Sequence, residues 1–290
     1  MLLQEKMAGY PFSPSEKVVV DFILNKQEQI EYYSTKTIAA ETFTSPSILV
    51  RIAQKLDFEG WLEFKQAFLG EVQYLGRNFI DIDANFPFSA NDSLMTIASK
   101  ITKVKAESLE DTLALLNHDL IRQAVRMMEK AENIKLFGIY NVLFLGEEFV
   151  HKLKHINKRA EISMTQNAIY QEAEMMTPKG CAICISYSGE TGEILNIAKT
   201  LKEKGVPVIA LTSIGENTLS NYADVTLRIS TRERSYSKIA GFSSLESISL
   251  ILDILYASYF AIHYEKNYAY KVSLSKKTEQ REIDNRIIRE

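Results

Sequence analysis

Cys181-Ala182-Ile183-Cys184-Ile185-Ser186-Tyr187-Ser188-Gly189-Glu190-Thr191 joins five apolar residues to a run rich in hydroxyl side chains. The apolar half has strand length, and a helical pattern follows over 190–204. A hydroxyl-rich turn between a strand and a helix suits an anion. The helix N–H groups point outward, the dipole favours negative charge, and Gly189 lets the backbone come close. Ser186, Ser188 and Thr191 add neutral donors, which release a phosphate more easily than a cage of arginines would.

Reading outward, apolar runs of strand length recur at 134–137, 206–211 and 225–229, with a weaker one at 160–164. Helical patterns lie between them at 142–156, 190–204 and about 217–222, and a long one closes the region at 243–264. Continuous apolar strands separated by helices predict a doubly wound parallel α/β sheet covered on both faces. The run 206–211 ends in Thr212-Ser213, a second hydroxyl pair at a carboxyl edge, where ligands sit in open parallel sheets. Capping alone could account for either loop. Two on successive strands favour a binding site.

Residues 13–75 have a different, all-helical rhythm. Ser13-Pro14-Ser15-Glu16 is a helix start, followed by Val18, Val19, Phe22 and Ile23 at helical spacing. A helix over 35–42, the link Phe43-Thr44 and a helix opened by Ser45-Pro46 have the spacing of a helix-turn-helix. Its reading face would be Ser45, Ser47, Ile48 and Arg51, with Lys55 one turn on. A small helical bundle, in which Ser45 and Pro46 only cap a helix, fits the spacing equally well. Residues 91–117 and 119–132 continue as helices, and 76–90 read as a polar linker.

Composition sets limits. With 290 residues, 46% hydrophobic and 24% charged, the chain is globular and large enough for about two domains. Net charge is −3, and residues 1–75 carry 7 basic against 10 acidic side chains, so DNA binding must rest on a local face. The longest apolar stretch, 248–262, is broken by Asp253, and Met1 to Lys6 lacks the pattern of an export signal. A cytoplasmic location away from the membrane is expected. Cys181 and Cys184, three apart in a strand, face opposite sides, which suits core packing and not redox chemistry. His151 and His155 are one helical turn apart but flanked by lysines, a solvated face. No metal or cofactor is expected. Ser243-Ser244-Leu245-Glu246 reads as a capping box whose Ser243 and Glu246 could approach a ligand.

Two resemblances follow from these motifs. Ser13 to Glu16, Ala39, and the stretch from Ser45 through Lys55-Leu56-Asp57-Phe58-Glu59-Gly60-Trp61-Leu62-Glu63-Phe64-Lys65 resemble the N-terminal domain of RpiR-type bacterial transcriptional regulators. The turn glycines of that pattern are replaced here by Phe43 and Asp57. Residues 134 to about 264 resemble the sugar isomerase (SIS) domain, a flavodoxin-like phosphosugar-binding fold. Its Ser-x-Ser-Gly-x-Thr is intact at Ser186 to Thr191, and Ala223-Asp224 follows. The first loop departs: Gly138-Ile139-Tyr140-Asn141-Val142 stands where Gly-x-Gly-x-Ser is usual. The resemblance implies ligand contacts from Gly138, Tyr140, Asn141, Ser186, Ser188, Gly189, Thr191, Thr212 and Ser213.

The expected organisation is a DNA-binding domain over 1–76, a linker over 77–90, a SIS domain over 91–266 and a polar tail over 267–290. The expected function is a transcriptional regulator, not an enzyme. It would bind a double-stranded operator as a homodimer or tetramer and respond to a phosphorylated sugar or amino sugar. The alternative is a sugar-phosphate isomerase or lyase using Glu190 or Glu246 as base.

Overall fold

The computed structural model describes residues 2–76, 82–165, 168–278 and 287. Helix α1 (Leu3–Gly9) precedes α2 (Pro14–Lys26), which starts as the sequence predicts. The Glu16 carboxylate reaches back to accept from the Ser13 N–H at 2.9 Å and its hydroxyl at 2.8 Å. The buried stripe is Val19, Val20 and Ile23, with Val18 exposed, one position away from the expected register. A 3₁₀ turn at Gln27–Tyr32 leads to α3 (Thr35–Glu41), α4 (Ser47–Lys55) and α5 (Trp61–Gly76). Ile38, Leu49, Ile52, Leu56, Phe64 and Phe68 close one core between these short helices. Most of these helices are too short to persist alone, so the shared apolar face holds the unit together.

Helix α6 (Leu94–Leu115) is capped by the Ser93 hydroxyl, which accepts from the Thr96 N–H at 3.2 Å, and α7 (His118–Lys130) follows. The alternating region then gives β1 (Ile134–Phe137), α8 (Val142–Lys154), β2 (Ala160–Ile162), α9 (Ile169–Met175) and β3 (Cys181–Ile185). It continues with α10 (Gly192–Glu203), β4 (Val208–Thr212), a 3₁₀ turn at Leu219–Tyr222 and β5 (Val225–Arg228). The strands form one parallel sheet in the order β2-β1-β3-β4-β5. Leu136 pairs with Ile183, and Ile183 with Ile209.

The sheet is buried on both faces, as continuous apolar strands require. Cys181, Ile183 and Ile185 enter a core with Phe149, Ile251 and Leu252, while Ala182 and Cys184 enter another with Ile194 and Ile197. The two cysteines therefore lie on opposite faces. Burial pushes the Cys181 thiol up to about 12 and raises that of Cys184 as well, so neither is a thiolate at neutral pH.

Helix α11 (Ser244–Ile262) ends the region. By length and composition it could cross a bilayer, yet Ile248, Ile251, Leu252 and Leu255 are buried in the first core. The chain turns at His263 and continues as α12 (Tyr264–Thr278), so the boundary expected at 266 falls inside a helix. Of the expected tail, 279–286 and 288–290 lie outside the described residues, as do 77–81 of the expected linker. The rest of that linker is not loose. Asn85 is buried, its carbonyl accepts from the Ile239 N–H at 3.0 Å, and its side-chain oxygen accepts from the Arg234 N–H at 2.6 Å.

Candidate functional site

The chain leaves β1 for β2 on one side of the sheet and leaves β3 for β4 and β5 on the other. The loops after β1 and β3 therefore diverge at the carboxyl edge and open a crevice, the usual ligand position in such sheets. A cleft of about 280 Å³ sits there. The first loop contributes Tyr140 and Asn141, and the second Ser186, Ser188 and Thr191. The segment between β5 and α11 adds Ser235 and Lys238.

Local geometry explains the second loop. The Ser186 and Thr191 hydroxyls lie 2.8 Å apart, the Ser186 hydroxyl accepts from the Gly189 N–H at 3.2 Å, and the Ser188 hydroxyl accepts from the Glu190 N–H at 3.1 Å. These bonds within the loop hold its shape. Helix α10 begins at Gly192 and not at Glu190, with Thr191 as its N-cap and no side-chain bond across its first turn. Its leading N–H groups have no intrahelical partner.

Three helix N-termini meet this cleft: at the start of α8 the Val142 and Leu143 N–H groups are taken by the Ile139 and Tyr140 carbonyls at 3.3 and 3.1 Å, and the other two differ from each other. That of α11 is filled by the protein's own Glu233, whose buried carboxylate accepts from the Ser243 N–H at 2.5 Å and the Ser244 hydroxyl at 2.6 Å. Lys238 lies 2.9 Å from the same carboxylate and over the Tyr187 ring, 5.0 Å from its centroid. The Tyr187 hydroxyl donates to the Glu233 carbonyl at 2.8 Å, and burial raises its pKa, so it stays a phenol. The α11 dipole is thereby satisfied internally, leaving the α10 end for an outside anion.

Several expected ligand residues lie elsewhere. Thr212 is fully buried, its hydroxyl accepting from the Asn217 amide at 3.0 Å, and Ser213 lies outside the cleft lining, its carbonyl taken by Arg228 at 2.8 Å. Ser243 is buried against the Ser108 hydroxyl at 2.7 Å, and Glu246 is ion-paired with Lys105. Both face α6 because Glu233, not a capping box, closes the start of α11. Gly189 is required, for another reason than the one expected. Its φ is +70°, and a Cβ would lie 2.2 Å from the Asn217 side chain, so the close approach is internal. Gly138 likewise makes room for Val142, 2.6 Å from where its Cβ would be. Sequence reasoning missed Glu233, Lys238 and Ser235, since the segment after β5 has no periodicity. Their only signal was acidic and basic residues just before a helix start.

In the N-terminal unit, α3, the turn and α4 form the helix-turn-helix. Ser45 and Ser47 are exposed with hydroxyls 2.9 Å apart, and Arg51 is exposed one turn on. Ile48 is 2% exposed and belongs to the core, because α4 must bury one stripe against α2 and α5. Lys55 is committed to the buried Glu16 at 2.7 Å. Burial works against that carboxylate's charge, but Lys55, together with the Ser13 N–H and hydroxyl, holds its pKa at about 2. The turn keeps glycine-like backbone without glycine: φ is +52° at Phe43 and +69° at Asp57, and Tyr140 in the first cleft loop has +54°. Such conformations cost a non-glycine residue on the order of 1 kcal/mol. At Asp57 the cost is partly offset by Lys6 at 2.9 Å, which also reaches Glu216 at 3.0 Å. The His151 and His155 rings lie with centroids 4.1 Å apart at a tilt of 53°, and no cluster of three metal-ligating side chains occurs among the described residues.

Residues 1–74 match the model of the helix-turn-helix domain of the rpiR family, and residues 127–258 match that of the SIS domain. Among solved structures the chain is similar to the Vibrio vulnificus NanR protein complexed with ManNAc-6P, at 20% identity and TM-score 0.59, covering 95% of this chain and 98% of that one. It is also similar to the sugar isomerase domain of an RpiR transcription factor from Sphaerobacter thermophilus, at 18% identity and TM-score 0.56, covering 62% and 98%. A protein of E. coli CFT073 gives 14% identity and TM-score 0.56, covering 64% and 100%. At such identities these likenesses establish the fold. The two family models, in their order along the chain, identify this protein as a member of the RpiR-type transcriptional regulators.

Proposed function

We propose that this regulator binds a phosphorylated sugar or amino sugar in the cleft between the loops after β1 and β3, and that occupancy sets its affinity for an operator. The observation that carries the reading is the contrast between the two helix ends. Glu233 fills the start of α11, while the start of α10 is ringed by Ser186, Ser188 and Thr191 and left for a phosphate. Lys238 would add one cation, partly balanced by Glu233. Tyr140 and Asn141 would meet the sugar at the mouth.

The proposed DNA contacts are Ser45, Ser47 and Arg51. Lys55 contributes less, since its charge is already neutralised. Paired half-sites need paired readers, so the working form is a homodimer or tetramer. Coupling runs through the segment between β5 and α11. It lines the cleft with Ser235 and Lys238 and is tied to the N-terminal side by Asn85 and by the Tyr74 hydroxyl, which accepts from the Thr231 N–H at 2.6 Å.

A regulator accounts for these contacts better than an isomerase or lyase does. Glu190 accepts from the Thr218 N–H at 2.8 Å and Glu246 is held by Lys105, so neither candidate base is directed at the cleft. The test is fluorescence anisotropy of the full chain, at fixed salt, on duplexes selected from a random pool, with a panel of sugar phosphates. One compound should shift affinity by about 5- to 150-fold. Saturable binding of a sugar phosphate with no shift would refute the coupling, and turnover of one would favour the enzyme.

A further inference from the structure

Phe43 combines two features that work against each other in the isolated protein. Its φ of +52° is a conformation suited to glycine, and its side chain is 98% exposed, the most exposed large apolar side chain among the described residues. A bulky residue in that region is an outlier that the surrounding backbone must enforce. Here it does: the Phe43 N–H donates to the Ala40 carbonyl at 3.3 Å and the Thr44 N–H to the Ala39 carbonyl at 2.8 Å, closing the turn. The Thr42 hydroxyl, 2.7 Å from the Ile38 carbonyl, locks it further. Glycine would fit this turn without strain and alanine would expose less apolar surface. Among the described residues nothing rewards a phenyl ring there.

The position of the ring points to what does. Phe43 lies in the turn after α3, two residues before Ser45 and four before α4 begins at Ser47, and the turn and first residues of a recognition helix are those brought close to base edges. That face is poor in charge. Of the two cations of α4, Arg51 is uncommitted and Lys55 is paired with Glu16, and residues 1–75 hold more acidic than basic side chains. Phosphate attraction is correspondingly weak, and a non-ionic contact gains importance. The exposed apolar group of the major groove is the thymine 5-methyl, which phenylalanine can contact.

We propose that Phe43 is a specificity-determining residue of the operator complex, packing its ring on a thymine 5-methyl group beside the bases read by Arg51. This rests on the DNA-reading role of α4, and the experiment separates the two. Full-length protein would be measured by anisotropy on duplexes that it enriches from a random pool, as wild type, Phe43→Gly, Phe43→Ala and Arg51→Ala. Thymines would be replaced one at a time by deoxyuridine, which removes only the methyl group. Phe43→Gly should melt at a higher temperature than wild type yet bind on the order of tenfold more weakly. Its salt dependence should be unchanged, because no phosphate contact is lost. One deoxyuridine should weaken wild type and leave Phe43→Ala unaffected. If both Phe43 variants bind as tightly as wild type while Arg51→Ala loses binding, the proposal is wrong and the reading face stands. A Phe43 variant that changes only the oligomeric state assigns the ring to a protein contact and also overturns it. If Arg51→Ala binds normally, the reading face falls, and the proposal with it.

Discussion

Replacing Glu16 by glutamine tests the ion pair that diverts Lys55 from DNA. The carboxyl is held at about 2, against an ordinary 4.5, by Lys55 and by the Ser13 N–H and hydroxyl acting against the cost of burial. Its folded-state pKa is depressed, so the stabilisation is fully present above 4.5 and fades as pH falls toward 2. The shift corresponds to a ceiling of about 3 kcal/mol at pH 7. Lys55 is 39% exposed, and solvent screening reduces the expected loss in Glu16→Gln to about 1–2 kcal/mol. By pH 3.5 the difference between wild type and variant should shrink by at least roughly two-fifths. Urea unfolding followed by fluorescence isolates the right unit, because the single tryptophan, Trp61, packs on Phe64 inside the N-terminal core. A difference that stays constant from pH 7 to 3.5, or one below about 0.5 kcal/mol throughout, would show that the ion pair does not hold this helix pair together. The same variant frees Lys55, so the salt slope of operator binding should steepen by about 0.9.

Three further outcomes are expected. Ser188→Ala should weaken sugar-phosphate binding, measured calorimetrically, by about tenfold with little effect on stability, since its hydroxyl is exposed and supports only a loop N–H. An unchanged affinity would place the phosphate elsewhere. Asn85→Ala removes the side-chain contact to the Arg234 N–H; it should leave ligand and operator affinities separately intact and reduce the shift that one causes in the other. Full retention of that shift would exclude this route. Gly189→Ala forces a Cβ to within 2.2 Å of Asn217 and should destabilise the C-terminal domain by about 2–4 kcal/mol in thermal unfolding. A loss under about 1 kcal/mol would mean that Asn217 yields easily.

Much of this molecule was legible as pattern. Period and length determined that 13–75 would be helical and that apolar runs alternating with helices would make a parallel sheet, because those patterns follow from which side chains must be hidden from water. The opposed faces of Cys181 and Cys184 followed from strand geometry alone. Hydroxyl residues marked the loop Ser186 to Thr191, and the absence of glycine at Phe43, Asp57 and Tyr140 was visible in the chain.

Tertiary structure decided which polar groups are free. Ser45, Arg51, Thr212, Ser213, Ser243, Glu246 and Lys55 are alike in sequence terms, all polar and in or beside a helix or strand. Only packing shows that Thr212 is engaged by Asn217, Glu246 by Lys105 and Lys55 by Glu16. Glu233 illustrates the converse. It lies in an aperiodic segment, yet it fills the start of α11 and so leaves the start of α10 as the anion site. Periodicity reports burial of side chains along one element. The choice of partner for each charge and hydroxyl depends on residues far apart in the chain, and only the closed fold brings them together.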